Sequence, residues 1–221
     1  MPRISRIVAV DFPHHVTQRG VRSMDIFQSD EERRQYLQFI KEEAERSAID
    51  ILAWCLMTNH VHFIAVPHTE TSFARGFGEA HNRYTRMKNF QDNTRGYLFQ
   101  GRFGSCVLDE PHLLAAVRYV ENNPVAAGLA DYAWQYKWSS VSYHVGDVND
   151  ILVKNRDLYS LVRDWQQYLL EATEDADEIQ NIKKSTRTGR PAGDFDFVKK
   201  MEGLTGRMLQ RQRPGPKKKT N

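Results

Sequence analysis

Two β-prone runs, Ile51–Met57 and His60–Val66, are separated by only two residues, and this spacing constrains the fold more than any other feature of the chain. The separating residues, Thr58 and Asn59, suit a tight turn between antiparallel strands. The sequence therefore predicts a β-hairpin whose second strand begins at His60.

The segments on either side of this hairpin alternate between strand and helix patterns. They predict a strand over His14–Gly20, a helix from the capping residue Ser29 to about Ser47, a helix over about Ser72–Asn89 and an extended segment over Tyr97–Leu108. The order β-α-β-β-α-β is typical of the ferredoxin-like or RRM-like α+β fold, an antiparallel sheet with helices on one face.

The 221 residues suffice for one domain of ordinary size with an appendage, and are too few for two large domains. Cys55 and Cys106 lack C-x-x-C spacing and lie in apolar surroundings, so we interpret them as small buried residues in a reducing compartment. No apolar run is long enough for a signal peptide or a membrane span. We therefore expect a soluble, cytoplasmic protein.

Positive charge is concentrated towards the C-terminus. Residues 183–221 hold 12 Lys/Arg against 3 Asp/Glu, a net charge of +9, whereas residues 1–182 carry a net −6. Such a segment is typical of a polyanion-binding arm, the alternative being a disordered end that only aids solubility. The predicted division is a main domain over 1–145, a helical extension over 146–182 and a basic tail over 183–221, in which residues 195–209 form a loosely attached helix.

His60 and His62 lie at the start of the second hairpin strand. Side chains two residues apart on a strand point to the same face, so the two imidazoles are expected to converge while Val61 faces the core. They would supply half of a metal site. The triplet alone is weak evidence, because eight histidines in 221 residues give a His-x-His by chance in about one such chain in four.

A further helix is predicted after Asp109, which caps it ahead of Pro111, and it ends at Asn122 or Asn123. By helical projection, Tyr119 and Asn123 share one flank of the apolar stripe, whereas Asn122 projects to the opposite side. Tyr119 and Asn123 are thus candidates for a common site. The alternative is a packing tyrosine followed by a C-capping amide.

Several short motifs occur in an order that resembles the REP-associated tyrosine transposases, relatives of the single-tyrosine HUH transposases of bacterial insertion sequences. The resemblance covers most of the chain. The motifs are HVTQRG at 15–20, CLMTNHVH at 55–62, QGRF at 100–103, RYVENNPVAAG at 118–128, WSS at 138–140 and TGRP at 188–191. Departures occur at Thr58, Val21 and Ala126, where relatives often carry Pro, Asn and Arg; the last removes one expected phosphate contact.

The resemblance implies a metal-dependent single-stranded DNA endonuclease and strand transferase. By it, His60 and His62 bind a divalent metal, Asn123 is the third protein ligand and Tyr119 is the nucleophile. The implied product is a 5′-phosphotyrosyl DNA with a free 3′-hydroxyl, which the reverse attack rejoins. Mg²⁺ or Mn²⁺ is the expected cofactor, because an amide ligand, open coordination positions and phosphoryl chemistry favour these ions over Zn²⁺. The sequence identifies no general base.

The implied substrate is single-stranded DNA from repetitive extragenic palindromes (REP), folded as a hairpin. Basic and amide side chains on the predicted elements suit contacts to backbone and bases. The candidate DNA-binding residues are Arg19, Arg22, Arg75, Arg83, Arg86, Gln100, Arg102 and Arg190. We expect a nucleoid-associated monomer or homodimer without membrane contact, whose catalytic domain is residues 1–145 and whose DNA-binding tail is residues 183–221.

Three other interpretations stay open. A catalytically idle relative would bind REP-type hairpins and regulate without cutting them. An RRM-like module shares the strand order, and residues 75–78 (RGFG) match the start of its RNP1 motif, but the residues that follow do not and the pattern is helical. A zinc hydrolase would need a glutamate base placed as in H-E-x-x-H, which the segment around His60 lacks.

Overall fold

Four strands form one sheet in the computed structural model, which describes residues 6–146, 149–154, 158, 161–171 and 176–210. The strands are β1 His14–Arg19, β2 Ile49–Leu56, β3 His60–Pro67 and β4 Gly104–Val107. Their order across the sheet is β2-β3-β1-β4, and each neighbouring pair is antiparallel. This order confirms the predicted ferredoxin-like α+β fold.

The described residues contain eight α-helices. They are α1 Asp30–Arg46, α2 Ser72–Gln91, α3 Glu110–Glu121, α4 Asn123–Ala126, α5 Val141–His144, α6 Trp165–Leu170, α7 Ala176–Thr188 and α8 Phe195–Thr205. Two of them begin at the predicted caps. The Ser29 hydroxyl accepts a hydrogen bond from the Glu32 amide at 3.2 Å, and the Asp109 carboxylate accepts one from the His112 amide at 2.9 Å.

The two faces of the sheet are covered by different helices. Alternate residues of a strand point to opposite faces, so Val61 and Phe63 join the apolar cluster made with α1 and α2. Ile64 joins a second cluster made with α3 and α7, which also contains the buried, unpaired Cys55 and Cys106. His60 and His62 therefore lie on the face that α3 covers.

The fourth extended segment is shorter than predicted. β4 covers Gly104–Val107 only, whereas the pattern predicts Tyr97–Leu108. The amide of Gln100 still donates to the Arg19 carbonyl at 2.8 Å, so residues near 100 run along the end of β1. Gly101 then adopts a left-handed φ of 66°, and this change of direction interrupts the ladder.

The C-terminal segment packs onto the sheet. α7 contacts β4, β1 and α3, so the boundary predicted between residues 182 and 183 lies inside this helix. α8 was expected to be loosely attached, and this is wrong, because its Met201 is fully buried against Ile7, Ala9 and Val107. The last part of the predicted tail, 211–221, lies outside the described residues.

None of the helices within the described ranges combines the length and the apolar character that crossing a bilayer requires.

Candidate active site

The imidazoles of His60 and His62 lie side by side at the start of β3. Their ring centroids are 4.9 Å apart and their planes meet at 79°. This arrangement follows from the two-residue period of the strand, which sends both side chains towards α3. The predicted convergence of the two rings is therefore present in the fold.

Tyr119 of α3 meets this pair edge-on. Its ring centroid lies 5.5 Å from that of His62, with the planes at 84°. One helical turn later, Asn123 donates Nδ2–H to the Tyr119 carbonyl at 2.8 Å, which leaves Oδ1 as an acceptor. Asn122 instead donates to the Leu169 carbonyl at 3.0 Å. The structure thus groups the four residues selected from the sequence and separates Asn122 from them.

Both imidazoles are neutral at physiological pH. Burial and the charge of Arg19 lower the pKa of His60 to about 4. Burial, with the neighbouring His15, His60, Arg19 and Lys183, lowers the pKa of His62 well below its usual range. Neutral rings are the form in which histidine binds metals, because one nitrogen then carries a free lone pair.

The hydrogen bonds indicate which nitrogen that is. His60 donates Nδ1–H to Asn59 Oδ1 at 2.6 Å, which leaves its Nε2 bare. His62 Nδ1 is bonded to His15 Nε2 at 2.8 Å, whereas His62 Nε2 is buried and has no hydrogen-bond partner within the described part of the chain. A buried polar atom without a partner is costly and points to a missing ligand.

The donors present fit a divalent cation. Two imidazole nitrogens and the Asn123 amide oxygen provide three ligands without thiolates, and three ligands leave coordination positions open for phosphate oxygens. The described residues contain no group of three His, Cys, Asp or Glu able to hold a metal. The resemblance assigns the third protein ligand to the Asn123 amide oxygen, which the bond from Nδ2 to the Tyr119 carbonyl leaves available.

The environment of the Tyr119 hydroxyl has opposing effects on its ionisation. Burial raises the pKa of Tyr119, whereas a hydrogen bond from Asn123 and the charge of Arg19 lower it. Lys183 of α7 adds a second cation, with Nζ 4.9 Å from the centroid of the Tyr119 ring. Nearby positive charge favours the phenolate. Lys183 lies in the segment predicted as a tail, and its place here was not foreseen.

Five of the eight candidate DNA-binding residues are solvent-exposed. Arg19 ends β1 beside the site, since its charge acts on both His60 and Tyr119. The others are Arg22 in a 3₁₀ turn, Arg75 on α2, and Gln100 and Arg102 on the segment before β4. These positions are compatible with the predicted contacts to DNA.

The remaining three candidates have partners within the protein. Arg83 donates to Glu42 and Glu43 at 2.6 Å each, joining α2 to α1. Arg190 donates to the Leu209 carbonyl at 2.6 Å. Arg86 forms a solvent-exposed pair with Glu79 at 2.9 Å. Arg83 and Arg190 therefore have structural contacts within the protein, and their contacts to DNA stay predictions.

Besides Lys183, two residues of the site were not selected from the sequence. His15 stacks on His62 with centroids 5.1 Å apart and planes 11° from parallel, and its Nδ1 lies 2.8 Å from the Thr186 hydroxyl. Because side chains alternate between the two faces of β1, the sequence could have predicted that His15 lies on the same face of the sheet as His62. No local pattern points to Thr186, because it follows His15 by 171 positions.

A cavity of about 620 Å³ lies on the other face of the sheet, between α2 and the segment before β4. Its walls include Gln18, His81, Asn82, Arg102 and Phe103. At its rim Tyr97 is 89 % exposed, and Phe90 at the end of α2 is 87 % exposed. Exposed aromatic rings beside cationic and amide side chains are suited to stacking with unpaired nucleobases.

Comparisons with known proteins agree with this geometry. The profile of the family described as transposase IS200 like matches residues 12–123, which include His60, His62, Tyr119 and Asn123. A solved structure described as a REP-associated tyrosine transposase bound to a REP hairpin has a similar fold, with a TM-score of 0.58 and 16 % identity over 70 % of this chain and 92 % of that chain. A comparison with curated proteins finds no match. The family match confirms the predicted relation to transposases of bacterial insertion sequences, and the solved structure shares the fold.

Proposed function

Because the chain belongs to the IS200-like transposase family, we propose that it is a metal-dependent single-stranded DNA endonuclease and strand transferase that cleaves and rejoins REP-type hairpins through Tyr119. One observation carries this proposal. The ring of Tyr119 on α3 meets His62 of β3 edge-on, His60 lies beside His62, and the buried Nε2 of His62 has no hydrogen-bond partner among the described residues.

The proposed reaction exchanges one phosphate ester for another. The Tyr119 oxygen attacks the phosphorus and forms a new P–O bond, while the bond to the 3′ oxygen breaks and that oxygen takes up a proton. The products are a 5′-phosphotyrosyl strand and a free 3′-hydroxyl, and attack by a 3′-hydroxyl reverses the step without ATP. Mg²⁺ or Mn²⁺ held by His60, His62 and Asn123 would polarise a phosphate oxygen and offset the negative charge that repels the nucleophile.

Side chains around Tyr119 assist the loss of its proton. Burial raises the pKa of Tyr119, and the hydrogen bond from Asn123 and the charge of Arg19 offset part of that rise, while Lys183 lies over the face of the ring. Arg19 is also exposed at the end of β1, where it can contact a phosphate of the bound strand. We assign these residues to activation and positioning of the nucleophile.

We propose that the strand beyond the scissile phosphate passes round the end of β1 to the cavity on the other face of the sheet. Residues near Gln100 run along the end of β1 beside Arg19, and the cavity opens behind this strip, between Arg102 and the exposed Tyr97. We propose that unpaired bases of the substrate stack on the ring of Tyr97. Asn82 and Arg102 can then form hydrogen bonds with the edges of these bases.

The test uses a labelled DNA hairpin with single-stranded flanks and a randomised tetranucleotide near its foot, incubated with full-length protein and Mn²⁺ or Mg²⁺. We expect a DNA–protein adduct that survives denaturing electrophoresis, disappears on chelation and is absent from Tyr119→Phe. The matched control is Tyr132→Phe, because Tyr132 is exposed and its ring stacks on Trp134, and this variant should still form the adduct. A shifted but uncut hairpin would support the idle binding protein, and cleavage without an adduct would support a hydrolase.

A further inference from the structure

A continuous hydrogen-bonded path joins α7 to His62. The Thr186 hydroxyl lies 2.8 Å from the Ile182 carbonyl and 2.8 Å from His15 Nδ1, and His15 Nε2 lies 2.8 Å from His62 Nδ1. All three side chains of the path are at least 96 % buried. Their hydrogen bonds must therefore be satisfied within the protein, without help from bulk water.

The single hydroxyl proton of Thr186 determines the direction of every bond in this path. The Ile182 carbonyl can only accept, so Thr186 donates to it, as buried threonines commonly do one turn back in a helix. The Thr186 oxygen then accepts Nδ1–H from His15, and its second lone pair is available to the Cys106 thiol, 3.1 Å away. His15 Nε2 is left bare and accepts Nδ1–H from His62. The result is a lone pair on His62 Nε2.

The opposite arrangement is unfavourable. If Thr186 donated to His15 Nδ1, the Ile182 carbonyl would lose this bond, His15 would donate to His62 Nδ1, and His62 would carry its proton on Nε2. That nitrogen is buried and has no acceptor within the described residues. A buried donor without a partner costs about 1–3 kcal/mol, and a protonated Nε2 is unable to bind a metal.

We propose that Thr186 is a positioning residue for the metal site: by accepting the proton of His15 it holds His62 in the tautomer whose Nε2 lone pair faces the active site. The consequence for DNA cleavage rests on the proposed function. The tautomer itself does not, since it is a property of the protein without metal or DNA. α7, whose Thr186 lies in the segment predicted as a tail, thus supports a metal ligand indirectly: Thr186 bonds to His15, and His15 bonds to His62.

The first experiment determines the tautomers in full-length, metal-free protein labelled with ¹⁵N-histidine. Long-range ¹H–¹⁵N correlation spectra show which ring nitrogen carries the proton. We expect Nδ1–H for both His15 and His62, and Nε2–H on His62 in the wild-type protein would overturn the proposal without any variant being made.

The second experiment replaces the hydroxyl. Thr186→Val removes the acceptor while keeping the shape, so the Nδ1–H form of His15 loses its advantage and the Nε2–H form of His62 becomes populated. We expect the Kd for Mn²⁺, measured by titration without DNA, to rise by about 10- to 100-fold, and Thr186→Ser to restore both the tautomer and the Kd.

Thr188→Val is the matched control. Thr188 lies on the same helix, is equally buried and makes the same type of backward bond, to the Lys184 carbonyl at 3.0 Å, but it is not bonded to His15. Its variant should keep the wild-type tautomers and the wild-type Kd. Unchanged tautomers and an unchanged Kd in Thr186→Val would refute the positioning role, whereas a missing DNA adduct with the expected tautomers would refute only the proposed function.

Discussion

Glu121 lies on α3, two residues after Tyr119, and its carboxylate accepts a hydrogen bond from the Trp165 indole at 2.8 Å. The same fully buried carboxylate also bonds to the Ser140 hydroxyl at 2.7 Å and to His144 Nδ1 at 2.6 Å. It therefore ties the end of the tyrosine-bearing helix to α5 and α6. The position of Tyr119 depends on this buried network as well as on the apolar stripe of α3.

Substitution Glu121→Gln should destabilise the protein by about 3 kcal/mol. The amide keeps one acceptor but turns an NH₂ group towards a donor, which leaves buried groups unpaired. Urea unfolding measures the effect. Glu110→Gln, at the exposed start of α3, is the control and should change the free energy of unfolding by less than about 0.5 kcal/mol. Equal stabilities of the two variants would contradict the role given to the network.

Substitution Asn123→Ala should weaken Mn²⁺ binding, because it removes the amide oxygen assigned as the third protein ligand. We expect a rise in Kd of at least about tenfold, with cleavage partly recovered at high Mn²⁺ concentration. Asn122→Ala is the control, since its side chain bonds to the Leu169 carbonyl. It should lower stability by about 1 kcal/mol and leave the Kd for Mn²⁺ unchanged. A raised Kd in Asn122→Ala with an unchanged Kd in Asn123→Ala would identify Asn122 as the ligand instead.

Arg19 and Arg83 should respond differently to removal of their charge. Arg19→Gln should weaken hairpin binding and reduce the slope of log affinity against log salt by about 0.7–0.9. Arg83→Gln should leave that slope unchanged and lower stability, because Arg83 holds Glu42 and Glu43. Fluorescence anisotropy across a salt titration, with urea unfolding in parallel, distinguishes the two. A reduced slope of log affinity against log salt in Arg83→Gln would show that Arg83 contacts DNA.

Tyr97→Ala should weaken the binding of hairpins that carry single-stranded flanks. Loss of one stacking interaction costs about 1–3 kcal/mol, or roughly a 5- to 150-fold rise in Kd. A fluorescent adenine analogue in the flank should be quenched by the wild-type protein and not by the variant. Hairpins without flanks provide the internal control, and an equal loss of affinity for both substrates would exclude a base-stacking role.

The stability of the protein should fall between pH 6.5 and pH 4 because of buried neutral histidines. Burial lowers the pKa of His81 to about 3, below the ordinary value of about 6.5. The unfolded chain therefore takes up a proton that the folded protein does not, and stability decreases by about 1.4 kcal/mol per pH unit for this group as pH falls below 6.5.

The His81→Gln variant tests this sign directly. Between pH 7 and pH 5, unfolding free energy should change by about 2 kcal/mol less than in the wild type. His68 offers the opposite case, since Asp50 and Asp11 raise its pKa, and its contribution is present at low pH and lost as pH rises through that raised value. A steeper pH dependence in His81→Gln would show that its environment does not favour the neutral ring.

The strand order and the grouping of the site residues could be predicted because both depend on local periodicity. The two-residue period of β3 brings His60 and His62 together, and the helical period of α3 distinguishes Asn123 from Asn122. Contacts between distant segments leave no such pattern. Thr186 is bonded to His15 across 171 positions. The ion pairs of Arg83 on α2 depend on the packing of α1, which brings Glu42 and Glu43 beside it.

Backbone conformation and packing account for the other differences. The run over Tyr97–Leu108 has strand-like residues throughout, but the left-handed φ of Gly101 divides it. Net charge suggested that the chain beyond residue 182 is a solvated tail. The burial of Ile182 on α7 and Met201 on α8 shows instead that a few apolar residues are enough to attach these two helices.

The position of α7 has a consequence for shortened forms of the protein. A fragment cut before Ala176 still contains His60, His62, Tyr119 and Asn123, yet lacks the Thr186 hydroxyl that lies 2.8 Å from His15. A fragment limited to residues 12–123, the span of the family match, therefore cannot stand in for the full chain in metal-binding experiments.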